Sequence, residues 1–232
     1  MKSVSQKMAV DWAACYKACD DANISLVYPS EPLIRMFKGN YIGGKALDLQ
    51  GKSCIDVGFG NANNLAFLAT LGMDVAGIEI HEAICDEARN KFARTNLNAD
   101  IKLGTNQEIP FKDNHFDYLV SWNVLHYEGS EDGIKAAIKE FARVLKPGGR
   151  FFLSTTGPDH KILKNSRTLG NHLYEIGRED DFRAGQTHFF FDGPNYIDLY
   201  FSPYFKNIQI GRIEDDMFGE KLDWWIATGV KA

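Results

Sequence analysis

The sequence predicts a doubly wound α/β fold built on a mostly parallel sheet. Short apolar runs alternate with segments of helical periodicity from about residue 53 to 155. A strand-like run ends in a two-glycine turn that opens a helix, and the next run ends in an acid about twenty residues later. Such alternation puts strands in parallel with helices on both faces. A chain of 232 residues, 44% hydrophobic and 25% charged, suits one sizeable core with a small elaboration.

Residues 53–57 are a short apolar run, read as a buried strand. Residues 63–71 carry Leu65, Phe67, Leu68 and Leu71 at helical spacing. Residues 74–80 read as the second strand and 82–95 as a helix with Ile80 or His81 near its start. Strands are predicted at 101–103 and 116–121. Residues 134–145 form an amphipathic helix, with Ile134, Ala137, Ile138, Phe141, Val144 and Leu145 on one face. It is expected to stop at Lys146-Pro147-Gly148-Gly149. Residues 150–155 make a fifth strand, with right-handed crossovers throughout. Beyond 156 the chain is aromatic and irregular, then gives strands at 206–212 and 222–230 with no helix between them, which favours antiparallel pairing. Residues 1–48 hold a helical stretch and a loop, expected to form a cap or lid over a domain spanning 49–232. Tyr28 and Tyr41 lie in that lid.

Composition excludes some classes. A net charge of -5 argues against a general nucleic-acid binder, whose affinity rests on phosphate contacts. The N-terminal segment lacks the apolar core of a signal peptide, and no run reaches the roughly 20 apolar residues of a membrane span, so a cytoplasmic protein is expected. Cys15 and Cys19 stand at helical spacing without a second pair to complete a zinc site. With Cys54 and Cys85 they read as reduced apolar fillers, and no metal is expected.

In such sheets a ligand sits beyond the carboxyl ends of the strands. There the sequence places Cys54-Ile55-Asp56-Val57-Gly58-Phe59-Gly60-Asn61-Ala62-Asn63. Gly58 and Gly60 permit a tight turn and close approach to a ligand. Amides at the helix start favour an anionic group. Asp56 can accept from a ligand ammonium or from the loop. Glu79 ends the second strand, where a carboxylate accepts both hydroxyls of a ribose, or alternatively caps the next helix.

At this point the chain resembles the class I S-adenosylmethionine-dependent methyltransferases, with their Rossmann-like fold. Asp56-Val57-Gly58-Phe59-Gly60-Asn61-Ala62 is similar to the family's acidic-x-Gly-x-Gly-x-Gly motif, with Ala62 in place of the third glycine. Gly77-Ile78-Glu79 resembles the second motif, after which Ile80 packs on adenine. Gln107-Glu108-Ile109-Pro110-Phe111 followed by Asn114-His115-Phe116-Asp117-Tyr118-Leu119-Val120 resembles a third stretch. Arg143-Val144-Leu145-Lys146-Pro147-Gly148-Gly149 is similar to the family's turn before strand five. The four occur in order at fitting spacing. The resemblance implies a seven-stranded sheet with an antiparallel C-terminal strand, S-adenosylmethionine as cofactor, and cofactor-binding roles for Asp56, Gly58, Phe59, Gly60, Asn64, Glu79, Ile80, Asn106, Gln107, Ser121, Trp122 and Asn123. The family's usual adenine-contacting acid after strand three is missing from Gly104-Thr105-Asn106-Gln107; Thr105, Asn106 or Gln107 can supply a neutral acceptor.

Methyl transfer needs in-line positioning and, for an oxygen acceptor, a base. His126 follows strand four, His160 follows strand five and His188 opens the apolar run Phe189-Phe190-Phe191. All three are candidate bases, against structural roles in a turn or a strand. An insertion at about 157–190, with Trp224-Trp225, is expected to shape the acceptor site. No Asn/Asp-Pro-Pro-Tyr stretch follows strand four, so a small-molecule acceptor is favoured over nucleic-acid bases, with O- and N-methylation both open. The alternatives are a cofactor-binding module without catalysis and an NAD-dependent oxidoreductase. The latter needs a third glycine where Asn63 stands.

Overall fold

Residues 4–21, 28–179 and 181–232 are described by the computed structural model. The chain divides into two compact units, residues 1–105 and 106–232. Among the described residues the main sheet has seven strands in the order β3-β2-β1-β4-β5-β10-β9, and a separate sheet has the order β6-β7-β8. The predicted seven-stranded, mostly parallel sheet is therefore present.

The first unit carries α1 (Val4–Asp21), α2 (Glu31–Lys38), β1 (Ser53–Val57), α3 (Asn63–Thr70), β2 (Asp74–Glu79), α4 (Glu82–Thr95) and β3 (Asp100–Leu103). β1 and β2 pair in parallel, as do β2 and β3. Four of the five β1 residues are buried, as expected of a strand covered on both faces. α2 lies in the span read as a loop. Its helix signals were Pro32 in the first turn and Leu33, Met36 and Phe37 at i, i+3, i+4, all three buried. α4 starts where His81 Nδ1 accepts the Ala83 N–H at 3.2 Å and ends at Asn96 in the left-handed region.

The second unit carries β4 (Phe116–Trp122), a 3-10 turn (Leu125–Tyr127), α5 (Glu131–Val144), β5 (Leu145–Thr156), β6 (Arg167–Gly170), β7 (Leu173–Glu175), β8 (Thr187–Phe189), α6 (Pro194–Phe201), β9 (Phe205–Met217) and β10 (Glu220–Lys231). β4 and β5 are parallel, and β10 runs antiparallel to both β5 and β9. Three readings need correction. The Lys146-Pro147-Gly148-Gly149 breaker is not a separate turn but a bulge inside β5: the register jumps from Phe116↔Leu145 to Tyr118↔Arg150, with Gly148 at φ 77°. α5 starts one turn early because the Ser130 hydroxyl accepts the Gly133 N–H at 3.0 Å. The irregular stretch after 156 contains the small antiparallel sheet and α6, short elements with little periodicity to read.

Arg143 ties two motifs together. Its five N–H groups reach both Glu140 oxygens, Asp113 Oδ1 and the carbonyls of Ile109 and Phe111, at 2.7–2.8 Å. The Ile109-Pro110-Phe111 stretch is thus bonded to the end of α5, and Arg143 draws Glu140 below the usual carboxylate range. Aromatic packing closes this unit. Phe151 meets Phe201 and Phe205 at 4.7 Å between ring centres, and all three are buried. Fully burying one such side chain contributes about 1.5–3 kcal/mol.

Candidate active site

In the first unit Asp56, next to last in β1, is 1% exposed. Gly58 (φ 70°) and Gly60 (φ 56°) turn the chain into α3 through the left-handed region. Ala62 caps α3 at φ 59°, which explains why the related motif has glycine there. The turn is bound to the next strand: the Gly58 N–H donates to the Ile78 carbonyl at 2.9 Å. Glu79 Oε1 accepts the Gly60 N–H at 2.9 Å and Oε2 accepts the Ile80 N–H at 2.8 Å. Burial raises Glu79, and these two amides oppose the rise. Burial and the neighbouring Glu79 charge push Asp56 up to about 8.

Other predicted residues in this unit have packing duties. Phe59 is buried against Gly77, where a side chain would collide with its ring. Asn64 Oδ1 accepts the Ser30 N–H at 2.9 Å and so holds the loop before α2. Tyr16 of α1 sits where a Cβ on Gly60 would fall, so α1 reaches the glycine turn. Tyr28 and Tyr41 are mostly exposed.

The turn fits S-adenosylmethionine. Asp56 Oδ2 is buried without a hydrogen-bond partner among the described residues, a carboxyl oxygen whose bonding capacity is unused. Each Glu79 oxygen has accepted one amide and keeps a lone pair for a ribose hydroxyl.

In the second unit Glu128 holds Asn106 and Gln107, two of the neutral residues that the sequence offers where the related motif has an acid. Asn106 Nδ2 donates to Glu128 Oε1 at 3.0 Å and Gln107 Nε2 to Oε2 at 2.6 Å. Both amide oxygens are thereby left as acceptors, the polarity an adenine amino group needs. Thr105 Oγ1 belongs to the other unit. Asn123 turns at φ 61°, donates its N–H to the Ser154 carbonyl at 2.9 Å and accepts the Ser154 hydroxyl at 2.6 Å, locking the ends of β4 and β5 together. Trp122 is nearly buried, and Ser121, fully buried, has an unpartnered hydroxyl.

The three histidines do converge. His126 and His188 lie 6.0 Å apart between ring centres, with Tyr127 at 4.3 and 4.9 Å from them. Trp224 meets His126 at 6.3 Å and His160 at 4.4 Å. Phe190 forms another wall, 6.1 Å from His126. His126 Nδ1, His188 Nδ1 and His160 Nε2 are buried without partners among the described residues.

Their other contacts separate their chemistry. His160 Nδ1 accepts the Ile162 N–H at 3.0 Å, so the neutral ring carries its proton on Nε2 and presents a donor. His188 Nε2 lies 3.1 Å from Gln186 Oε1; donating there, the ring presents a bare Nδ1 lone pair. Arg183 donates from Nη1 to the Tyr127 hydroxyl at 3.1 Å and makes a two-pronged pair with Asp181. Burial first, and the Arg183 charge after it, bring His160 down to about 4 and His188 to about 3. His126 falls well below its usual range, through burial and then the neighbouring His188 and Arg183. All three imidazoles are neutral near pH 7.

Gln186, Arg183, Tyr127 and Glu128 were not singled out from the sequence as site residues. Gln186 had a signal, since it stands two residues before His188, just ahead of β8. Among the described residues no group of three or more His, Cys, Asp or Glu is placed to hold a metal ion, and no helix is long and apolar enough to cross a membrane.

A family model described as a methyltransferase domain matches residues 54–149. The chain is 32% identical over 122 residues to the biotin biosynthesis bifunctional protein BioHC of Cellvibrio japonicus, a match over 50% of this chain and 23% of that protein. It is 31% identical over 131 residues to the ubiquinone biosynthesis O-methyltransferase of Coxiella burnetii, over 56% and 54% respectively. The chain thus spans about half or less of the length of these curated relatives. Its fold is that of the 1,6-didemethyltoxoflavin-N1-methyltransferase of Burkholderia thailandensis, solved with S-adenosylhomocysteine: TM-score 0.68 and 16% identity, covering 100% of this chain and 92% of that one. The glycine turn, the acid bonded to it and the sheet order agree with the domain match: residues 54–149 are similar to a methyltransferase domain, and the chain has the Rossmann-like fold of S-adenosylmethionine-dependent methyltransferases.

Proposed function

We propose that the chain methylates a hydroxyl oxygen of a small molecule, with His188 Nδ1 receiving the hydroxyl proton. The observation that carries this is the fully buried His188 ring, held through Nε2 by Gln186 and left with an unpartnered Nδ1. S-adenosylmethionine supplies an electrophilic methyl group on a sulfonium. Asp56, the Gly58 and Gly60 backbone and Glu79 hold its polar parts, and Ile80 packs on its adenine. The family resemblance gives Asn106, Gln107, Ser121, Trp122 and Asn123 as further cofactor contacts.

A hydroxyl oxygen becomes strongly acidic as it gains a methyl group. A weakly basic imidazole therefore suffices, provided it is already in place. The bond to the methyl carbon forms at oxygen, the bond to sulfur breaks, and the hydroxyl proton passes to His188 Nδ1. His160 Nε2–H orients the same acceptor as a donor, and His126 completes the polar wall. Trp224, Phe190 and Tyr127 supply flat apolar faces. The O-methyltransferase named among the relatives supports oxygen. The N1-methyltransferase of like fold bears on the fold alone.

The test is transfer of isotopically labelled methyl from S-adenosylmethionine to a panel of phenols, alcohols, amines and carboxylic acids. Labelling of hydroxyl compounds, slowed about 100-fold in His188→Asn, is expected. Labelling of amines only, or an unaffected His188→Asn rate, defeats the reading. Cofactor binding without turnover on any acceptor points to a binding module, and tight NAD binding to an oxidoreductase.

A further inference from the structure

We propose that Asp223, gripped by Arg212, is a positioning residue that aims the Nε2–H of His160. The proposal rests on the reading that His160 faces the acceptor. His160 sits in the loop that leaves β5, and both ends of that loop hang on Asp223. The Gly157 N–H donates to the Asp223 carbonyl at 2.8 Å, and the Asp159 N–H, one residue before His160, donates to Asp223 Oδ2 at 2.7 Å. The His160 N–H then closes the turn on the Gly157 carbonyl at 3.3 Å. A Cβ on Gly157 would collide with the Asp223 carboxylate, so the loop lies directly on that side chain.

Asp223 is wholly buried, on β10, immediately before the Trp224 that packs edge-on against His160. Arg212 from β9 holds it with a fork, Nε to Oδ1 at 2.7 Å and Nη2 to Oδ2 at 2.9 Å, and braces the loop again through Asp159 Oδ2 at 2.5 Å. The guanidinium in turn lies 5.2 Å over the Trp225 ring. An ion pair between a buried acid and a partly exposed guanidinium is a poor source of net stability. What the pair supplies is a fixed direction. Four charge-assisted bonds and two backbone–backbone bonds hold the loop, and its conformation sets where the His160 donor points.

The experiment reads the ring itself, in the isolated protein. Histidine-selective 15N labelling with long-range proton–nitrogen correlation spectra separates the Nε2–H tautomer from its alternatives, and His160→Gln assigns the signal. Wild type is expected to show His160 as a pure Nε2–H tautomer. Asp223→Asn and Arg212→Met are expected to give mixed tautomers and at least about tenfold faster exchange of that N–H with water. Arg212→Lys keeps the charge, loses the fork, and serves where Asp223→Asn fails to fold. With the best phenol or alcohol of the panel, kcat should fall about tenfold in Arg212→Lys with the KM for S-adenosylmethionine unchanged. Adding the same change to His160→Gln should cost nothing more. Unaltered His160 spectra in both clamp variants, or additive losses in the double variant, overturn the proposal. If His160→Gln leaves methyl transfer untouched while the spectra respond, the reading of His160 fails and the clamp stands.

Discussion

Glu79 and Gly60 are joined by a 2.9 Å hydrogen bond, so the acid ending β2 is part of the turn that follows β1. Replacing it affects two things together. Glu79→Ala leaves two amides, those of Gly60 and Ile80, without their acceptor, at about 1–3 kcal/mol each where they stay buried. Binding of S-adenosylhomocysteine should weaken about 100-fold, and in Glu79→Gln, which keeps one acceptor oxygen, about tenfold. Calorimetry and thermal melts check both, and unchanged binding in Glu79→Ala refutes the ribose role.

Asp56 predicts a pH dependence. Its folded value, about 8, lies above its ordinary 3.8. Folding thus favours the protonated form. That contribution is complete below about 4 and is lost as pH rises through about 8. Asp56→Asn cannot ionise, so its stability should decline less than that of wild type over the same window. Urea unfolding of the ligand-free proteins at pH 5 and pH 8 measures this; parallel declines contradict it.

Ala62 occupies a left-handed position that an alanine enters at a cost of roughly 1–2 kcal/mol. Glycine relieves it, while losing a buried methyl and gaining freedom in the unfolded chain. The terms nearly cancel, so Ala62→Gly should stay within about 0.5 kcal/mol of wild type. Ala88→Gly, buried in the middle of α4, should cost about 1 kcal/mol or more. Equal losses at the two sites would show that the backbone at 62 carries no such strain.

Glu128 fixes which end of each neighbouring amide is offered. In Glu128→Ala the Asn106 and Gln107 side chains are released to turn over. Wild type should prefer S-adenosylhomocysteine to its 6-oxo analogue by about tenfold or more, and the variant should lose most of that preference. Competition binding reads it, and a preference retained in full excludes Glu128 from this role.

The main sheet was legible because buried parallel strands read as uninterrupted apolar runs, as at Ile55 and Val57 of β1. The glycine turn and Glu79 were legible because their chemistry is local to strand ends. α2 was missed for its brevity, and the bulge at Gly148 because a breaker cluster reads alike in a turn or a strand. The histidines were named from their positions after strands, and the hydrogen bonds that orient them come from both near and far in the sequence. Gln186 is two residues from His188, whereas Asp159 and Asp223 are separated by 64.

The hydroxyls of Thr155 and Thr156 are buried at 0–1% exposure with no partner among the described residues. Each was taken from water on folding and given nothing in return, at about 1–3 kcal/mol. Any molecule that binds the folded chain and not the unfolded one stabilises it in proportion to the logarithm of its concentration over Kd. Melting temperature is therefore an assay for the acceptor. A compound library screened by heat in the presence of S-adenosylhomocysteine, with no product to detect and no reaction to guess, should single it out.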